Sequence, residues 1–177
     1  SGYKKDEAMR SVNFGLYDRV LLTTAEMANY FKYYLIALVC FILISGFTAE
    51  GYSFLEVKKG WFYEFINLSL AYFSGTLLTP ILLPYIPSRY FSAKGIIMGT
   101  LMFGVLYFTI YSELSILYNL GWLLLSAAIS SFLAMNFTGA TTFTSLSGVR
   151  KEMKIFVPVQ LILFLAGLVL LIISNFN

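Results

Sequence analysis

The sequence predicts an all-α membrane protein: a five-span transmembrane helix bundle with its N-terminus in the cytoplasm and its C-terminus outside. Three observations carry this. Of 177 residues 59% are hydrophobic and 12% charged, whereas a soluble domain carries roughly 25% charged residues. The hydrophobic residues fall into five runs that are apolar all round rather than striped, the pattern of helices buried in lipid or in a bundle. The basic residues lie mostly on alternate connections, and Lys and Arg set the orientation of membrane helices.

The same composition excludes several classes. About 104 hydrophobic residues (59% of 177) are far too many for an ordinary soluble enzyme or a disordered tail, and enough for five spans of about 20 residues each. One cysteine and no histidine rule out an internal disulfide and a zinc site made by this chain alone, since such sites draw on thiolates and imidazoles. No nucleic-acid partner is indicated. The chain does not begin with Met and its charged first 30 residues are no signal peptide, so a fragment or processed product is expected.

Residues 1–29 read as a cytoplasmic arm or linker that includes the start of a helix. Within it Thr23-Thr24-Ala25-Glu26 fits a capping box, in which the threonine accepts a backbone N–H and the glutamate reaches back. Val20-Leu21-Leu22 before it reads as a short strand or linker. Residues 30–177 form the transmembrane domain, with spans at about 31–47, 62–85, 95–111, 116–135 and 155–173. Helices are required there, because each backbone polar group must be satisfied within its own segment. Strands of a barrel would alternate, and these runs do not.

Orientation follows from the basic residues. Lys4, Lys5, Arg10, Arg19 and Lys32 precede the first span, Arg89 and Lys94 follow the second, and Arg150, Lys151 and Lys154 follow the fourth, ten in all; only Lys58 and Lys59 fall on the other side. That bias puts the arm and the second and fourth connections in the cytoplasm.

Ionisable groups inside spans are expensive and mark function by default. Glu64 and Glu113 are the candidates, and both read as solvated carboxylates near the headgroups at outer span ends. No charge is expected near a span's middle, which argues against ion-coupled transport. Gly95 and Gly99 form a GxxxG pair, and Ser126 and Ser130 repeat that spacing. Small residues let helix backbones approach, and both pairs are read as packing faces within one chain. Trp61 and Trp122 read as an aromatic belt. Cys40 reads as a buried packing residue.

Two connections are unusual. Pro80, Pro84 and Pro87 cannot sit in an unperturbed helix, so the second span should kink at Pro80 and end by Pro84 or Pro87. From Phe137 to Val149, six of thirteen residues carry hydroxyls. Such residues compete for local backbone hydrogen bonds, which predicts a compact irregular turn against the bundle. Phe73-Ser74-Gly75-Thr76 and Phe137-Thr138-Gly139-Ala140 are alike enough to suggest a parallel two-helix repeat.

These two connections also carry a family resemblance. Leu-Thr-Pro-Ile-Leu-Leu-Pro-Tyr-Ile-Pro-Ser-Arg-Tyr-Phe-Ser-Ala-Lys-Gly (Leu78 to Gly95) and Asn136 to Met153 resemble the C-terminal membrane domain of the mercury-methylating corrinoid proteins. Asp18-Arg19-Val20-Leu21-Leu22-Thr23-Thr24-Ala25-Glu26 resembles that family's junction before its first span, with Thr24 where the family has proline. The likeness runs from about Asp18 to the end.

The resemblance implies a protein in two halves: an upstream cytoplasmic corrinoid (cobalamin) domain that methylates mercury(II), and a five-span domain that holds it to the cell inner membrane. It also implies a ferredoxin-like [4Fe–4S] partner as electron donor. The family's cap-helix cysteine has no counterpart here, so no catalytic, corrinoid-binding or metal-binding residue is carried over. What remains is a docking surface on the cytoplasmic side, with Arg89, Lys94, Asn136, Thr138, Gly139, Ser145, Ser147, Gly148, Arg150 and Lys151 as its expected residues. Gly139 and Gly148 are expected to matter more than the charges, as loop glycines held at positive φ. The competing readings are a small transporter or channel for a neutral solute, and an assembly subunit of another membrane complex.

Overall fold

The computed structural model describes residues 16–111, 114–140 and 146–176. Its long elements are all helical. Helix α1 is Leu16–Ile44, followed by a two-stranded antiparallel hairpin, β1 (Phe47–Thr48) and β2 (Gly51–Tyr52). Helix α2 (Phe54–Phe73) passes through a π-helical turn at Ser74–Leu78 into the short α3 (Thr79–Ile81), making one rod. Helix α4 (Phe91–Leu106) ends in a second π turn at Tyr107–Tyr111. Helices α5 (Ile116–Ala140) and α6 (Leu146–Phe176) complete the fold.

Four segments are long and apolar enough to cross a membrane: Arg19–Ile44, Phe91–Ile110, Ile116–Phe137 and Ser147–Phe176. The rod from Phe54 to Ile81 is not among them; Glu56, Lys58, Lys59 and Glu64 sit in its first half.

Helix α5 is the centre. Trp122 and Leu125 are fully buried, and Phe41, Leu68, Phe103 and Leu171 from the other four rods close around them. Burial of such apolar side chains is worth about 1.5–3 kcal/mol each in water; inside lipid the gain shifts to close packing. That packing uses the two small-residue pairs against each other. A Cβ on Gly95 would lie 2.6 Å from the Ser130 carbonyl oxygen, and one on Gly99 would strike the Ser126 carbonyl. On another side of the same turn, a Cβ on Gly75 would lie 2.8 Å from the Ser130 carbonyl oxygen. The expectation of packing faces within one chain is therefore met.

Several local expectations are corrected. Helix α1 begins at Leu16, so Val20-Leu21-Leu22 is helical and Thr23 caps nothing. Its hydroxyl and that of Thr24 donate back to the Val20 and Leu21 carbonyls at 2.7 Å, the bonding available to a mid-helix threonine. Helices α1, α2, α4 and α6 begin ahead of their apolar runs, because their first turns carry charged residues that hydropathy excludes. The second rod does end before Pro84 and Pro87, at Ile81, as expected. Pro80 is accommodated by the π turn: Thr79 donates its backbone N–H to the Ser74 carbonyl five residues back, and its hydroxyl bonds the same oxygen at 2.7 Å. Widening of this kind relieves the clash between a proline ring and the preceding turn.

The hydroxyl-rich connection is mostly helix, with α5 running to Ala140 and α6 starting at Leu146; residues 141–145 lie outside the described residues. Its Phe-Thr-Gly-Ala segment ends a helix, whereas Phe73-Ser74-Gly75-Thr76 opens a buried π turn, so the two are not structural equivalents. Cys40 is exposed on the outer face of α1 rather than buried. Trp122 is not in a belt: its ring packs on Phe41 with centroids 5.1 Å apart, while Trp61 is exposed. Truncating Trp122 to Ala should therefore cost about 3–5 kcal/mol of stability, and Trp61→Ala less than about 1 kcal/mol. Thermal unfolding in detergent checks this; equal costs would put Trp122 back at the surface.

Candidate functional site

One end of the bundle gathers the segments that carry the family resemblance. Arg19, near the start of α1, donates to the Ile81 carbonyl at the end of the second rod (3.2 Å). The Phe91 and Phe137 rings lie 6.3 Å apart, and the Tyr90 and Phe156 rings 5.5 Å apart. Glu152 of α6 reaches into the first turn of α4, accepting from the Ser92 backbone N–H at 2.6 Å and from its hydroxyl at 2.7 Å. Both Ser92 and Glu152 are buried. A carboxylate there satisfies backbone donors that a helix N-terminus leaves open, and is favoured by the helix dipole.

The expected docking residues divide. Arg89, Ser147, Gly148, Arg150 and Lys151 are exposed at this end. Lys94 is buried, its ammonium donating to the Leu83 carbonyl; it ties the proline turn to α4 and offers nothing to a partner. Asn136 is half-buried. Thr138 and Gly139 belong to the last turn of α5, and Ser145 lies outside the described residues. The positive-φ expectation fails for both glycines. Gly139 and Gly148 sit in helices, and Gly51 in the hairpin, at φ 117°, is the glycine with positive φ among the described residues. Helical backbone needs no glycine at these positions.

Toward the other end lies a second site that hydropathy does not reveal. Glu64 is not a solvated carboxylate at a headgroup; it is 5% exposed. The rod begins at Phe54, so Glu64 lies ten residues in, about 15 Å along the helix. An ionisable group does therefore sit deep in the bundle. Glu113 lies outside the described residues. Tyr118 donates its hydroxyl to Glu64 Oε1 at 3.3 Å and accepts from Asn67 Nδ2 at 3.4 Å. Asn67 Oδ1, Ser126 Oγ and Ser130 Oγ are buried without hydrogen-bond partners, and the Trp122 indole N–H lies beside the Glu64 carboxyl without a well-aligned hydrogen bond to Oε2. These groups form a polar seam between the second rod and α5. A sequence signal for it existed: Glu64, Asn67, Ala71 and Ser74 recur at spacings of three and four, a single helical face. A pocket of about 260 Å³ leads to Glu64 and Tyr118, past Ser45, Ser115 and Asn175.

A larger cavity of about 610 Å³ lies between α1 and α6, floored by α5. Tyr30, Tyr33, Tyr34 and Tyr72 line one side and Gln160 another. Gln160 donates to Ser131 Oγ at 2.9 Å, so this cavity is apolar with a few anchored polar groups.

No protein-family model, curated protein or solved structure matches this chain.

Proposed function

We propose that this chain is the membrane anchor and docking domain of a corrinoid-dependent methyltransferase of the mercury-methylating kind. In this reading all five rods cross the inner membrane, the second included. The rod from Phe54 to Ile81 gives about 42 Å of helix, against a hydrocarbon core of about 30 Å. The end bearing Arg89, Arg150 and Lys151 faces the cytoplasm, where an upstream corrinoid domain and its ferredoxin-like [4Fe–4S] partner would work. Methyl transfer belongs to that soluble half, and no residue of this chain is assigned a chemical step.

The observation that carries the reading is convergence. The two segments that resemble the family, 58 residues apart at their starts, pack on one another through Phe91 and Phe137 and through Ser92 and Glu152. Lipid-facing residues need only be apolar. A specific order of prolines, glycines and hydroxyls at one end of a bundle serves a protein surface better than it serves lipid. The exposed arginines and lysine there would steer an acidic face, since complementary charge acts mainly on encounter and register.

The 610 Å³ cavity favours a second reading, a small transporter or channel for a neutral solute. Its size is that of a small-molecule site. Solute uptake by proteoliposomes that hold this chain alone would favour transport over anchoring.

Orientation is tested by impermeant maleimide on intact cells, in a Cys40→Ala background. Glu50→Cys should be labelled, and Arg89→Cys and Lys151→Cys protected until the membrane is opened. The reverse pattern would invert the topology. Docking is tested by reversing charge with Arg150→Glu and Lys151→Glu in the longer protein that the resemblance implies. Methyl transfer should fall several-fold at unchanged membrane level, whereas Cys40→Ala should leave it unchanged. Full activity of the charge-reversed protein would remove the docking surface.

A further inference from the structure

We infer that the Glu64 pocket binds a small monovalent cation, entering from the end of the bundle opposite Arg89 and Lys151. The inference rests on neither the anchor nor the transporter reading.

The argument begins with charge. Glu64 is buried; its Oε1 accepts from the Tyr118 hydroxyl at 3.3 Å, the Trp122 indole N–H lies beside the carboxyl, and Oε2 makes no well-aligned hydrogen bond. The nearest basic side chain along its helix, Lys59, is paired with Glu56 at 2.7 Å in an exposed ion pair. An uncompensated buried carboxylate is strongly disfavoured unless a cation or proton joins it. Here the surroundings are set up to accept. The Glu64 carboxylate and the Tyr118 phenol line one pocket with Ser45, Ser115 and Asn175, an oxygen-rich set that suits hard cations.

The charge of the occupant follows. A single carboxylate balances one positive charge, and a divalent ion would leave an excess charge in the bundle. Calcium sites take six to eight oxygens, several from carboxylates. No group of three or more acidic, cysteine or histidine side chains occurs among the described residues. Access is present as well. The pocket of about 260 Å³ has room for an ion that keeps part of its water, each water occupying about 30 Å³. Ser45, Asn175 and the Glu56–Lys59 ion pair, which carries no net charge, line the way in.

The test is thermal unfolding of the purified full chain in detergent at fixed pH. Lithium, sodium and potassium chloride are each compared with choline chloride at the same ionic strength. Ligand that binds only the folded state raises the midpoint by mass action, and at 100 times Kd a chain of this size should gain roughly 5 °C or more. At least one alkali ion should produce that rise in the wild type. The rise should vanish in Glu64→Gln and shrink in Tyr118→Phe. Absence of any ion-specific rise in the wild type would overturn the inference whether or not the variants fold, and would leave Glu64 as a neutral carboxyl. An equal rise in wild type and Glu64→Gln would place the ion elsewhere and overturn it equally.

Discussion

The turn of α5 from Ser126 to Ser130 touches the backbones of two other rods, and the fold depends on that contact. Gly75 from the π turn and Gly95 and Gly99 from α4 meet the α5 main chain where a methyl group would not fit. In lipid there is no water to drive helices together, so close packing and weak polar contacts must do so. A bulky residue at any of these sites would push a rod outward, and the side chains above and below would lose their partners. Trp122 and Leu125 are fully buried because the rods are drawn in this closely on either side of them.

The same approach creates the polar seam. Drawing the second rod against α5 buries Glu64 and Asn67 beside Tyr118, and leaves Ser126 and Ser130 facing backbone. It also brings the Leu82–Tyr90 turn over the start of α4, where Lys94 and Glu152 bind backbone groups instead of each other or a partner. The two ends of the molecule thus differ in kind. One presents exposed cations over a closed, hydrogen-bonded surface; the other opens on a carboxylate.

Much of this was legible in the residues. All five helical rods follow from apolar runs, and the mutual packing of the Gly95/Gly99 and Ser126/Ser130 pairs follows from spacing alone. Depth was not legible. An apolar run that starts at Phe62 puts Glu64 at a headgroup, while the helix starts at Phe54; hydropathy cannot see a helix whose first turns are charged. Trp122 and Cys40 depart from expectation for a related reason. Both lie on rods apolar on every side, so no periodicity tells the core face from the lipid face. Lys94 looked like a loop charge since it follows three prolines, yet it begins a helix and folds back on the turn before it.

The most direct measurement compares two glycines of α4 by chemical or thermal unfolding. Ala for Gly inside a helix gains up to about 1 kcal/mol from propensity. A Cβ on Gly104 meets nothing within 4 Å, so Gly104→Ala should raise stability. A Cβ on Gly99 meets the Ser126 carbonyl and the Ser130 side chain, so Gly99→Ala should lower it by about 1–3 kcal/mol, the usual cost of overpacking. Opposite signs on one helix would place the α4–α5 contact at the centre of the fold. A gain in both variants would contradict it.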